Sequence, residues 1–127
     1  MDIALDSSGI YIAGIDNYVD YTNHAFMAKS NLTGDLQWIR TYGGKRDIRY
    51  QANSIAIDNS SIYIAGYYGN PTTEHDFIIK YDKTGKFQWI YSWSGDKAMG
   101  IGINVDAIYI AGFNYTTGAT LMKIANH

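Results

Sequence analysis

The pentapeptide Ile-Tyr-Ile-Ala-Gly occurs three times in the chain, at residues 10–14, 62–66 and 108–112. Each copy closes a longer unit with the same pattern: IALDSSGIYIAG (3–14), IAIDNSSIYIAG (55–66) and IGINVDAIYIAG (101–112). The copies recur about every 50 residues, the length of one supersecondary unit in repeat architectures. A chain written this way folds as a series of like modules, and each must bury against its neighbours the apolar surface it cannot bury alone.

The second unit shows what the module is. Residues 54–58 (SIAID) alternate apolar and polar, residues 59–61 read as a turn, and residues 62–68 (IYIAGYY) are β-branched and aromatic, as strands are. Residues 69–74 (GNPTTE) form a loop by composition, and residues 76–81 (DFIIKY) give a third strand. A hairpin turn over residues 82–85 (DKTG) follows, with Gly85 free to take positive φ, and residues 86–93 (KFQWIYSW) form a fourth strand. The first unit matches this strand for strand. The third supplies three strands and lacks a Gln-Trp-Ile strand. The predicted class is all-β: four-stranded antiparallel meanders over residues 3–44, 54–95 and 100–124, the third without its outer strand. The connections over residues 16–23, 44–54, 69–74 and 95–99 fall at one end of the meanders and the tight turns at the other.

Along the repeated strand, Ile62 and Ile64 occupy one face while Tyr63 and Ala65 occupy the other, so both faces are apolar. Such a sheet has to be sandwiched. The Ala-Gly pair is expected to let the next sheet approach closely. A radial arrangement of four-stranded blades meets these demands, and the expectation is a β-propeller, here a partial ring of about three blades. Propellers use roughly 4–8 blades. Completing a ring therefore calls for further blades in the same polypeptide or for a homo-oligomer; two copies would make a six-bladed ring.

The run Ala52-Asn53-Ser54-Ile55-Ala56-x-Asp58, Ile62-Tyr63-Ile64-Ala65-Gly66, Asp76-Phe77-x-x-Lys80 and Gly85-x-x-x-Trp89 resembles the SBBP-type (seven-bladed) β-propeller repeat of prokaryotic surface and secreted proteins. The resemblance covers nearly the whole chain in about two and a half units. It departs at Asn104 for the turn aspartate, at Gly102 for alanine and at Ala25 opposite Asp76. A second similarity is to the tryptophan-docking motif of quinoprotein-type propellers, carried by residues 82–89 and 32–38. It implies that Trp38 and Trp89 dock structurally on a neighbouring blade, with Gly44 and Gly95 closing the strands. The resemblances imply a surface or extracellular location and say little about activity, because fold does not fix function.

Composition narrows the function classes. The net charge of −2 gives no basic excess for nucleic acid, and no apolar run reaches the length of a membrane-spanning helix. The segment MDIALDSSG has neither the basic nor the apolar region of a signal peptide. With no cysteine, thiol catalysis, disulfides and cysteine metal sites are excluded together. Sequons at Asn31, Asn59 and Asn114 are candidate glycosylation sites, although the same residues are ordinary turn formers. His24 and His75 hold equivalent repeat positions and read as scaffold, and Asp6 and Asp58 read as Asx-turn residues. No cofactor, metal site or nucleophile–base constellation is expected.

The candidate binding rim lies at the end with the longer connections, where function usually collects. It comprises Tyr18, Asp20, Tyr21, Arg46, Arg49, Tyr50, Tyr67, Tyr68 and Tyr115. Aromatic rings beside both signs of charge suit a sugar or a protein partner. The expected function is a non-catalytic propeller module of a surface or extracellular protein, acting as scaffold or as a protein- or glycan-binding platform. The alternatives are a few-bladed self-assembling lectin and, more remotely, a quinoprotein-like oxidoreductase fragment.

Overall fold

A computed structural model describes residues 1–17, 23–43, 48–70, 73–94, 97–114, 116 and 118–125. The described residues contain β-strands and no helix, in three antiparallel sheets. The first sheet is a meander of β1 (Asp2–Asp6), β2 (Gly9–Asn17), β3 (Asn23–Ser30) and β4 (Leu36–Gly43). The second repeats it with β5 (Arg49–Ile57), β6 (Ser61–Asn70), β7 (Thr73–Asp82) and β8 (Phe87–Ser94). The third holds β9 (Lys97–Ile103), β10 (Ala107–Asn114) and β11 (Gly118–Ala125), with β11 at its edge. The sheets are compatible with blade-like meanders and do not close a ring.

Several strands run further than the sequence pattern suggests. Residues 49–53 and 97–99, expected in loops, belong to β5 and β9, and β6 and β7 extend over most of the expected loop at residues 69–74. In β5 and β9 the cause is a β-bulge, whereas β6 and β7 pair in unbroken register out to Asn70 and Thr73. Register shifts between Ala52 and Ser54 and between Ala111 and Gly112 let pairing resume beyond an irregular residue, so polar positions such as Gln51 and Lys97 enter the ladder.

The turns are built as the Asx positions predict. Asp58 Oδ1 accepts hydrogen bonds from Ser60 N–H at 2.9 Å and Ser61 N–H at 2.7 Å. Asn104 does the same for Asp106 and Ala107 at 2.9 and 2.8 Å, so its substitution for aspartate preserves the turn. In the β3–β4 and β7–β8 hairpins, Asn31 and Asp82 accept from the backbone N–H groups two and four residues on. The following Gly34 and Gly85 take φ of 93° and 87°. A hydrogen bond from the Thr84 hydroxyl at 2.6 Å, helped by those from the Lys86 and Thr84 N–H groups, holds the Asp82 carboxyl below the usual carboxylate range.

Two core layers join the three sheets. In the first, Tyr11, Ala13, Ala25 and Met27 pack against Tyr50, Ile55, Ile62, Ile64, Phe77 and Ile79. In the second, Tyr63, Ala65 and Ile78 pack against Ala98, Ile108 and Ile110. The alanine of the repeated pentapeptide thus faces the next sheet, as expected. The glycine does not. A Cβ on Gly66 would lie 1.8 Å from the carbonyl oxygen of Gln51, and one on Gly112 would lie 2.8 Å from that of Lys97. Both oxygens belong to the adjacent strand of the same sheet, at the bulge. In these two copies the glycine makes room for its own bulged partner, and in the first copy Gly14 makes room for the Phe26 ring.

Polar side chains fasten the sheets across the same boundaries. Asp2 Oδ2 accepts from Ile55 N–H at 3.0 Å, and Ser54 Oγ accepts from Ile101 N–H at 3.1 Å. Asp76, fully buried, accepts from Ala98 N–H at 2.8 Å. Burial also pushes the Tyr81 hydroxyl up to about 12, so it stays neutral through the physiological range.

At the tight-turn end, Lys83 pairs with Asp6 at 2.5 Å, joining the first and second sheets. The hydrogen bond from Lys83, helped by Ser8, holds the Asp6 carboxyl far below its ordinary range. A folded-state value below the unfolded one means stability that is present above about pH 4 and lost as pH falls. Lys83→Met is expected to cost at most about 1 kcal/mol at pH 7, because the pair is partly solvated. It should also shrink the loss of stability between neutral pH and pH 3, with urea titrations at both values as the check.

Candidate functional site

Antiparallel order places the β2–β3, β4–β5, β6–β7, β8–β9 and β10–β11 connections at one end of the sheets. Of the residues expected on this rim, Tyr18, Asp20, Tyr21, Arg46 and Tyr115 lie outside the described residues. The remaining four do not form one surface. They divide between the two sheet boundaries, because alternate residues of a strand point to opposite faces.

Tyr50 and Tyr68 are direct register partners on the face of the second sheet that meets the first. Their rings stack at 5.2 Å, Tyr68 stacks in turn on His75 at 5.2 Å, and Tyr42 of β4 meets Tyr50 edge-on at 5.7 Å. Tyr50, expected on a solvated rim, is buried, and burial raises its hydroxyl pKa, helped by Tyr42 and Tyr68. Gly43 makes this possible: at φ 117° it leaves open a space where a Cβ would stand 2.5 Å from the Tyr50 ring. This aromatic row closes the first sheet on the second, with Tyr50 buried and Tyr42, Tyr68 and His75 half-buried.

Arg49 and Tyr67 lie on the opposite face, toward the third sheet. The register pairs Arg49 with Gly69, Gln51 with Tyr67 and Gly69 with Glu74, so Arg49, Gln51, Tyr67 and Glu74 share that face near its open end. The Tyr67 hydroxyl donates to Gln51 Oε1 at 3.3 Å. Lys97 of β9 sets its ammonium 5.3 Å from the Tyr67 ring centre and 3.5 Å from Glu74 Oε1. Arg49 is exposed and Tyr67, Glu74 and Lys97 are half-buried. The group offers an aromatic ring, two cations, a carboxylate and an amide on one partly open surface. That combination can stack on an apolar ring face while hydrogen-bonding as donor and acceptor.

The sequence pattern did not point to Glu74, Gln51 or Lys97, because all three fell in expected loops. A period-2 count from Ile78 through Asp76 would have put Glu74 on the face of Tyr67, whereas the bulge in β5 reverses the alternation and hides Gln51. His75 joins the aromatic row, and His24 lies at the equivalent place, half-buried on β3.

The other candidate residues hold the scaffold. Trp38 and Trp89 are half-buried, pack against the first and second core layers, and lie 6.4 and 6.5 Å from Tyr11 and Tyr63. The hydrogen bond to the neighbouring sheet's turn comes from Arg40, whose guanidinium covers Trp38 at 5.0 Å and whose Nε donates to Gly85 O at 2.9 Å. Among the sequons, Asn59 is exposed. Asn31 and Asn114 accept turn hydrogen bonds through Oδ1, and Asn31 Nδ2 also donates to Asp35 at 3.3 Å.

No protein-family model matches the chain, and no curated protein matches it.

Proposed function

We propose that the chain is a non-catalytic β-propeller repeat module, of the SBBP-like type, from a cell-surface or extracellular protein. It acts as a scaffold whose loop-bearing rim binds a carbohydrate ligand. The carrying observation is the group of Arg49, Gln51, Tyr67, Glu74 and Lys97, gathered from two sheets on one partly open surface. Sugars present an apolar ring face and flanking hydroxyls, and a tyrosine bordered by both charge signs complements them. The scaffold half of the reading is supported by Asp2, Ser54, Asp76, Lys83 and Arg40, whose polar atoms tie one sheet to the next.

An oligosaccharide array probed with the purified chain tests the reading. Binding to at least one glycan class is expected, with a loss of at least about tenfold in affinity for Tyr67→Ala. An unchanged thermal midpoint in that variant would show that the fold survives. Absence of any glycan signal would remove the binding platform, and hydrolysis or oxidation of a bound sugar would overturn the non-catalytic assignment.

A further inference from the structure

The two outer faces of the sheet stack carry the two halves of its internal interface. The half that faces forward recurs on the inner strands of all three sheets, while the outer strand that adds Trp38 and Trp89 in the first two has no counterpart among the described residues of the third. Register pairs Tyr11 with Lys29 and Ala13 with Met27 in the first, Tyr63 with Lys80 and Ala65 with Ile78 in the second, and Tyr109 with Lys123 and Ala111 with Leu121 in the third. Even the lysine-over-tyrosine contact recurs, at 5.4, 5.4 and 5.9 Å. Tyr11 and Tyr63 are buried by the sheet that follows. Among the described residues no sheet packs on Tyr109, and Leu121 beside it is 75% exposed.

The half that receives is equally regular. In the second sheet Ile55, Ile57, Ile62, Ile64, Phe77 and Ile90 take the first sheet's tyrosine face. The equivalent positions of the first sheet are Ile3, Leu5, Ile10, Ile12, Phe26 and Ile39, which the register places on one face. No sheet among the described residues covers that face, and Ile3 is 58% and Leu5 65% exposed.

We propose that these faces bind each other in two copies of this chain, so that the third sheet of one copy seats on the first sheet of the next. The occupant is argued from continuity with interfaces the chain already makes twice: each exposed face is the positional counterpart of a buried one, and the two differ from each other. The contact is therefore heterologous, closing a ring if the rotation allows and extending a stack if it does not. It is weaker than the internal boundaries. Gly100 stands where Asp2 and Ser54 supply a cross-sheet acceptor, and Ala119 stands where Asp76 does, so the apolar half of the interface recurs without its polar fasteners. Reversible, concentration-dependent association follows. It does not depend on any ligand at the rim.

Sedimentation equilibrium of the 127-residue chain tests the proposal. The average mass should rise above that of the monomer between about 1 and 100 μM, a range suited to a modest interface lacking hydrogen bonds. Leu5→Asp and Leu121→Asp change well-exposed side chains, so circular dichroism should report both folded; each alone should be monomeric. An equimolar mixture of the two should recover a dimer and nothing larger, because each copy retains the face the other has lost. A wild-type chain that stays monomeric at about 100 μM overturns the proposal. So does continued self-association of either single variant, or a mixture that fails to pair.

Discussion

Phe77→Ala is expected to lower the unfolding free energy by about 3–5 kcal/mol, the cost of removing a fully buried aromatic ring and leaving a cavity. Phe77 has no solvent exposure and lies 6.3 Å, centre to centre, from both Tyr42 and Tyr68, so its ring meets the outer strand of the first sheet and the neighbouring strand of its own. The site cannot collapse easily, because both walls are hydrogen-bonded sheets. The repeat supplies an internal control. Phe26 holds the equivalent position in the first sheet, on a face with no sheet against it, and Phe26→Ala should cost the isolated chain only about 1 kcal/mol. Urea unfolding of the two variants side by side is the measurement. Equal losses would contradict the assignment of Phe77 to an inter-sheet core and Phe26 to an outer face.

Gly66→Ala should cost about 3 kcal/mol, at the upper end of what overpacking does. The added methyl would lie 1.8 Å from the Gln51 oxygen and within 3 Å of Gln51 C and Ala52 Cα. All three are backbone atoms in the bulge, so relief requires the β5–β6 pairing to shift. Gly102→Ala is the contrast: no atom lies within 4 Å of its Cβ position, and alanine already fills the matching places at Ala4 and Ala56. That change should be neutral or stabilising by up to about 1 kcal/mol, through a less flexible unfolded chain. Thermal melts of both variants check the pair. A well-tolerated Gly66→Ala would show that the bulge is not where the glycine is needed.

Much of the fold was legible because the side-chain period of a strand is two, and each repeat displays it three or four times. The strands containing Ile62–Ile64 and Phe77–Ile79, the Asx turn at Asp58, the hairpin turn over residues 82–85 and the positive φ of Gly85 all follow from local chemistry that tertiary context did not override. The bulges were not legible. A bulge is a single inserted residue, and it converted expected loop at residues 49–53 and 97–99 into strand. That shift moved Gln51 and Lys97 into the candidate site and Tyr50 into the interior.

From its residues alone, the chain determined that it would be all-β, that its meanders would be apolar on both faces, and that Ala13 and Ala65 of the pentapeptides would lie between sheets. These are consequences of alternation and side-chain size, which act over a few residues. Only the tertiary structure decided that Gly66 and Gly112 accommodate the bulges of their own sheets, that Arg40 hydrogen-bonds the next sheet's turn, and that Tyr50 and Tyr67 face opposite boundaries. The physical reason is that strand register sets which residues share a face, and register is fixed by pairing between segments far apart in the chain.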